Sequence, residues 1–230
     1  MNFGLIRKLT LLDYPEKTAC TLFTIGCNFR CPFCQNSSLI SPDNKVKTQS
    51  ESEVLDFLKS RQGLLDGVCI SGGEPLLNDN LEEFISKVKE LEFLIKLDTN
   101  GSYPEKLRKS IKSGMVDYIA VDIKNSPEKY AQTIGLSAYN VSSIEESISL
   151  LQSSGIPHEF RTTVVKEFHT IDDLISIAKW LSNAEKYYLQ GFIDSEGVSF
   201  SGFNAYSKEE MQEFLVKIRT VLANAELRGI

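Results

Sequence analysis

The chain has 230 residues, 42% hydrophobic and 24% charged, the arithmetic of one large or two small globular domains, which excludes disorder as the default. Its formal charge of −6 comes without a basic block, so a nucleic-acid backbone has no electrostatic footing as a partner. No apolar run approaches the roughly 18 residues of a membrane span and the first residues lack a signal peptide's apolar stretch, so a soluble cytoplasmic protein with no membrane partner is expected.

Along the chain, short β-rich runs alternate with longer stretches whose apolar residues recur at three and four. The first strand is expected over Thr18–Ile25, and Ser50 with Glu53 has the spacing of a helix-opening capping box. A second strand over Gly67–Ile70 precedes the stripe Leu81, Phe84, Ile85, Val88 and Leu91, which reads as an amphipathic helix. Phe93–Asp98 is the third strand, followed by a weaker helix from Pro104 to Ser113 that Gly114 can end in the left-handed conformation. The fourth strand, Val116–Ile123, is followed by a helix announced by Ser143 and Glu146, and the fifth, His158–Val165, by the stripe Ile171, Leu174, Ile175, Ala178 and Leu181. Lys186–Gln190 is the sixth, and a last helix opens at Ser207 with Glu210 and carries Met211, Phe214, Leu215, Ile218, Val221 and Leu222. Such alternation implies α/β architecture with parallel pairing and right-handed crossovers, because each return to the next strand's start needs a dozen or more residues. About six βα units fall short of the eight that close a full barrel, leaving either an open, partial TIM-type barrel or a doubly wound sheet. No Pro/Gly/Ser-rich linker divides the chain, so residues 1–230 are read as a single domain.

The unusual residues fall at the C-terminal ends of these strands or in the loops after them, the face on which parallel α/β folds place active sites. Five cysteines is an odd number, and three of them, Cys27, Cys31 and Cys34, crowd into one loop that Gly26 and Pro32 keep from being helical. That spacing suits metal or redox chemistry rather than a disulfide framework. A structural zinc wants four protein ligands, which Cys69, His158 or His169 would have to complete. A four-iron cubane held by three thiolates instead keeps one iron open to an exogenous ligand. Cys20 and Cys69 lie inside strands, where free cysteine behaves as a small buried hydrophobe.

The Cys-x3-Cys-x2-Cys loop, with the aromatic Phe33 before its last cysteine, resembles that of the radical S-adenosylmethionine (radical SAM) superfamily. Ser71-Gly72-Gly73-Glu74-Pro75 matches the superfamily's glycine-rich motif for the methionyl amino group, and its physics is plain, since glycines admit close backbone approach and a carboxylate pairs with an ammonium. Asp98-Thr99-Asn100-Gly101 and Asp122-Ile123-Lys124 resemble paired motifs of glycyl-radical activating enzymes, which there hold the ribose, the carboxylate and a bound monovalent cation. Arg161 is placed likewise on the fifth strand, where its fork of donors suits a carboxylate or a structural salt bridge. The resemblance runs from Gly4 to about Phe192 and is nearest to activators of anaerobic ribonucleoside-triphosphate reductases. Pyruvate formate-lyase activators differ at the end of the sixth strand, where they carry a histidine near the nucleoside and this chain has Leu189-Gln190-Gly191-Phe192.

The resemblance implies that Cys27, Cys31 and Cys34 hold one 4Fe–4S cluster and that Phe33, Gly72, Gly73, Glu74, Asp98, Thr99, Asp122, Lys124, Arg161 and Gln190 line the cofactor. No second cysteine group between Cys34 and Cys69 could hold another cluster. It further implies a flavodoxin or ferredoxin-type electron donor and reductive cleavage of S-adenosylmethionine that leaves a glycyl radical on a partner enzyme. The alternatives are an activator of another glycyl-radical enzyme, such as pyruvate formate-lyase, or a non-catalytic zinc or iron–sulfur protein.

Overall fold

Apolar runs buried on both faces read most clearly as strands, and all six expected ones form. In the computed structural model, which describes residues 1–41, 47–195, 197–198 and 200–230, the chain divides into two compact units. The first contains Met1–Asn28, Asn36–Thr99 and Tyr103–Ile119, and the second Phe29–Gln35, Asn100–Ser102 and Ala120–Ile230.

The first unit holds β1 (Asn2–Thr10), β2 (Ala19–Thr24), β3 (Gln49–Ser50), α1 (Glu51–Lys59), β4 (Gly67–Gly72), α2 (Leu81–Lys89), β5 (Leu94–Thr99) and α3 (Pro104–Ser113). Every residue of β2 is buried, the signature of a strand covered on both faces. β2 pairs in parallel with β4, Thr24 opposite Gly72, and β4 in parallel with β5, Ile70 opposite Leu97. The strand order is β3-β1-β2-β4-β5. β1 runs antiparallel to β2, and β3 meets only its first residues, Asn2 and Phe3. Neither β1 nor β3 follows from the sequence pattern, because β1 turns Leu5 and Leu9 to solvent and buries little besides Phe3 and Thr10. Ser50 caps α1 through the expected capping box, and α3 opens on Pro104 and ends at Gly114 with φ 67°.

β6 (Tyr118–Asp122) ends in the second unit, which continues with α4 (Tyr130–Thr133), α5 (Ser142–Ser154), β7 (His158–Val164), α6 (Ile171–Trp180), β8 (Tyr187–Gly191), α7 (Lys208–Arg219) and β9 (Ala225–Arg228). Its strand order is β6-β7-β8-β9. β7 pairs in parallel with β8, Thr163 opposite Gln190, and β8 in parallel with β9, Gln190 opposite Arg228. Ser207 caps α7 as expected, and Thr170 with Asp173 forms a further capping box on α6. The Ser143/Glu146 signal misleads: α5 begins at Ser142 without a side-chain cap, and the Ser143 hydroxyl meets Tyr139 Oη at 2.9 Å instead. Among the described residues no helix is long and apolar enough to cross a membrane.

The α2 stripe packs Leu81, Phe84, Ile85 and Val88 into the first unit, with the Phe84 ring 4.9 Å from that of Phe3. Both rings are fully buried, so truncating Phe84 leaves a cavity that a strand cannot easily fill. Phe84→Ala is expected to lower the unfolding free energy by about 3–5 kcal/mol in urea denaturation, and a loss under about 1 kcal/mol would contradict this packing.

Candidate active site

In the first unit the glycine-rich motif is locked to the start of the cysteine loop by backbone alone. Gly73 N–H donates to the Thr24 carbonyl at 3.0 Å and Glu74 N–H to the Gly26 carbonyl at 2.8 Å. A Cβ on Gly73 would stand 2.0 Å from the Gly26 carbonyl oxygen, and one on Gly72, whose φ is 120°, 2.2 Å from the Thr24 nitrogen. The two glycines are therefore demanded by the chain's own backbone, which seats Cys27 beside the turn that carries Glu74. Glu74 is fully buried, and its Oε1 accepts from Leu76 N–H at 3.0 Å and from the Thr99 hydroxyl at 2.7 Å. The glycine-rich motif and the end of β5 are thus joined through one carboxylate. Three residues before Thr99, the fully buried Lys96 ammonium is bonded to Asp98 and lies 5.9 Å from the Tyr118 ring centroid.

In the second unit Cys34 N–H donates to the Cys31 carbonyl at 3.1 Å, closing a turn that sets both thiols on one short arc. Phe33 between them is buried against Val165 and Phe192, with its ring 5.2 Å from Phe168. The Asp122 carboxylate, at the end of β6, accepts from Arg161 Nε at 2.9 Å and from Lys124 Nζ at 3.2 Å. Burial alone would raise the Asp122 carboxyl, but the Arg161 and Lys124 charges outweigh it and hold the group well below the usual carboxylate range. Burial likewise opposes the Lys124 ammonium, yet Asp122, and after it Cys31 and Cys34, keep it charged to higher pH than usual. Behind Arg161, the fully buried Glu159 receives Arg228 in a two-pronged contact at 2.8 and 2.9 Å, and Arg228 also covers the Tyr188 ring at 3.6 Å. Gln190 sits half-buried on β8 between Thr163 and Arg228 in register.

Of the expected residues, the first unit holds Cys27, Gly72, Gly73, Glu74, Asp98 and Thr99, and the second Cys31, Phe33, Cys34, Asp122, Lys124, Arg161 and Gln190. The structure ties Glu74 to Thr99 and Asp122 to Lys124 and Arg161. The sequence reading passes over Lys96, Glu159 and Arg228, although a charged residue inside an otherwise apolar strand is a signal of a buried pair. The residues named for zinc are engaged in other ways. Cys69 and Cys20 are fully buried, the Cys20 thiol pushed up to about 12 by burial, while His158 Nδ1 meets the Ile156 carbonyl at 2.8 Å. His169 is fully buried, its Nε2 2.8 Å from the Lys124 carbonyl and its Nδ1 accepting Val165 N–H at 3.1 Å, which places the proton on Nε2. The donor set at the loop suits an iron–sulfur cluster: none of the five cysteines is in a disulfide, the three loop thiols are partly open, and Lys124 offers a positive charge to Cys31 and Cys34.

Residues 21–181 match the family model of the radical SAM superfamily. A Methanocaldococcus jannaschii protein provisionally named a glycyl-radical enzyme activating enzyme is 31% identical over 96% of this chain and 93% of its own. The GTP 3′,8-cyclase of Aquifex aeolicus is 28% identical over 76% of this chain and 56% of its own length. Among solved structures, Streptococcus suis SuiB bound to S-adenosylmethionine superposes with a TM-score of 0.69 at 13% identity, over 90% of this chain, which spans about half (49%) of SuiB. A domain of the pyruvate-formate lyase-activating enzyme from Bacteroides vulgatus gives a TM-score of 0.58 at 17% identity, over 71% of this chain and 99% of that domain. The chain belongs to the radical SAM superfamily, and within it to the family of the glycyl-radical enzyme activating enzymes. It is a radical SAM enzyme with the open, partial TIM-barrel α/β fold of its structural neighbours, and the non-catalytic zinc alternative is set aside. Membership implies a 4Fe–4S cluster and S-adenosylmethionine as cofactors.

Burial holds the His169 imidazole below its ordinary value, against the opposition of its bonds to Lys124 and Val165. The unfolded chain therefore binds a proton more readily than the folded one, so this contribution is complete above about pH 6.5 and is lost as pH falls below that value. The wild-type unfolding free energy is expected to drop between pH 7.5 and 5.5 more steeply than that of His169→Gln, the extra slope approaching about 1.4 kcal/mol per pH unit, and parallel curves would contradict a buried neutral imidazole.

Proposed function

We propose that this chain reductively cleaves S-adenosylmethionine and generates a glycyl radical on a partner enzyme, an anaerobic ribonucleoside-triphosphate reductase. The observation that carries the reading is the likeness to an activating enzyme over nearly the whole of both chains, joined to a glycine-rich motif bonded to the backbone just before Cys27. Leu189-Gln190-Gly191-Phe192, in place of the nucleoside-side histidine of the pyruvate formate-lyase activators, favours the reductase over the lyase as partner.

Cys27, Cys31 and Cys34 hold the cluster, which when bound supplies the electron that breaks a carbon–sulfur bond of the sulfonium. The chain's own residues bind and orient. Glu74, held by Thr99, presents a carboxylate to the methionyl ammonium, while Gly72 and Gly73 keep that turn free of side chains. Asp98 and Thr99 serve the ribose. Lys124 and Arg161, fixed by Asp122, offer donors to the cofactor carboxylate, and Gln190 faces the nucleoside. Phe33 keeps the cysteine loop packed against Val165 and Phe192. A monovalent cation belongs to this reading as the resemblance implies it, with a strand-end carboxylate as its oxygen ligand. The electron donor is a flavodoxin or ferredoxin-type protein, and the reaction belongs in the cytoplasm. The cyclase likeness supports a second reading, a small nucleotide substrate, over a smaller share of the relative's length.

Anaerobically reconstituted and reduced wild-type protein is expected to cleave S-adenosylmethionine to methionine and 5′-deoxyadenosine, and Cys31→Ser to fall to background. Mixed with candidate partners, the wild type should produce a glycyl doublet in electron paramagnetic resonance on the reductase, and not on pyruvate formate-lyase. Equal cleavage by both proteins would overturn the cluster assignment, and cyclisation of GTP without a glycyl signal would favour the second reading.

A further inference from the structure

Two arginines of the second unit meet one buried carboxylate. Glu159 and Arg161 stand two residues apart on β7, and so on one face of it, and Glu159 is fully buried. Arg228 of β9 donates to both oxygens of Glu159, Nη1 to Oε1 at 2.8 Å and Nη2 to Oε2 at 2.9 Å. Arg161 Nη1 stands 3.8 Å from the same Oε1, within ion-pair range but beyond hydrogen-bond distance, while its Nε donates to Asp122 Oδ1 at 2.9 Å. Arg161 thus lies between two carboxylates, bonded through Nε to the one at the end of β6.

β9 pairs with β8 and not with β7, so Arg228 reaches Glu159 by crossing β8, where its guanidinium covers the Tyr188 ring at 3.6 Å. The start of β9 is fastened to the end of α7, with Arg219 Nε donating to the Ala225 carbonyl at 2.9 Å. A guanidinium stacked on a ring and forked onto a carboxylate is fixed in plane as well as in position, which an ammonium does not reproduce. A buried carboxylate stripped of such a partner is costly, and it lowers that cost by drawing in a neighbouring cation. Arg161 stands within reach to be drawn.

We propose that Arg228 is a positioning residue that keeps Glu159 from capturing Arg161, so that Arg161 stays bonded to Asp122 in the orientation that receives the carboxylate of S-adenosylmethionine. The proposal rests on the reading of Arg161 given above as a donor to that carboxylate. Arg228 itself touches neither cofactor nor substrate. It acts through the carboxylate it satisfies, by leaving Arg161 a single strong attraction, toward Asp122, instead of two that oppose each other.

Arg228→Met keeps much of the stem and removes the fork. A crystal structure of this variant should show Arg161 turned from Asp122 onto Glu159. Calorimetric titration of the reconstituted protein, oxidised so that no cleavage occurs, should give a Kd for S-adenosylmethionine raised about tenfold, the loss expected of one charge-assisted hydrogen bond. Adding Glu159→Gln to Arg228→Met removes the competing charge, and should return Arg161 to Asp122 and the Kd to within about threefold of wild type. A general loosening of the sheet would not be repaired by a second substitution. The double variant holds no unpaired buried carboxylate, so it gives the answer even where Arg228→Met does not fold. A double variant whose Kd stays about tenfold above wild type would overturn the proposal, as would Arg161 remaining on Asp122 in Arg228→Met. Arg161 turned onto Glu159 with an unchanged Kd would overturn the reading of Arg161 as a donor to the cofactor, and this proposal with it.

Discussion

The candidate site depends on how closely two pieces of backbone approach each other at the ends of β2 and β4. The Gly26 carbonyl sits where a Cβ of residue 73 would be, and it accepts the Glu74 amide in the same step. Because the contact is backbone to backbone, no rotamer change can relieve a side chain placed there. Parallel pairing of β2 and β4 brings the two strand ends level, with Thr24 opposite Gly72, and the loop that begins with Cys27 leaves from that point. The placement of Cys27 beside the Glu74 turn is thus set by sheet register before any side chain is considered.

Buried charge forms the second layer. Glu74, Lys96 and Glu159 are all fully buried, and each is engaged by a polar or charged neighbour of its own unit: Thr99, Asp98 and Arg228. Such pairs contribute little net stability against an apolar alternative, while removing one partner strands the other. Their value here is directional. In the second unit Lys124, Asp122, Arg161, Glu159 and Arg228 alternate in sign from the end of β6 to β9, so the last strand of the chain braces Arg161. His169 braces the same segment from behind through the Lys124 carbonyl.

What could be read from the sequence follows from this layering. The six central strands were legible because burial on both faces leaves continuous apolar runs such as Ala19–Thr24. β1 was not, since Leu5 and Leu9 face solvent and break the alternation that marks a half-buried strand, and the four residues of β9 are too few to show a period. Two of the three expected capping boxes obey local rules at Ser50 and Ser207, and Thr170 forms one that the sequence reading passes over, whereas Ser143 is drawn away by Tyr139. The cysteine, glycine and strand-end acidic motifs stood out because their chemistry needs those residue types at fixed spacing. Arg228 did not, because a basic residue acquires meaning only from what folding places beside it, and β9 is too short to carry a pattern.

The unequal sheltering of the cysteines bears on how the protein meets air. Cys20 and Cys69 are sealed inside strands, while Cys27, Cys31 and Cys34 are partly open on their loop. Oxidants diffusing in from solvent therefore encounter the loop sulfurs first, and sulfenic or sulfinic products accumulate there while the strand interiors stay reduced. Exposure to air therefore falls first on the three-cysteine loop and last on the strand interiors.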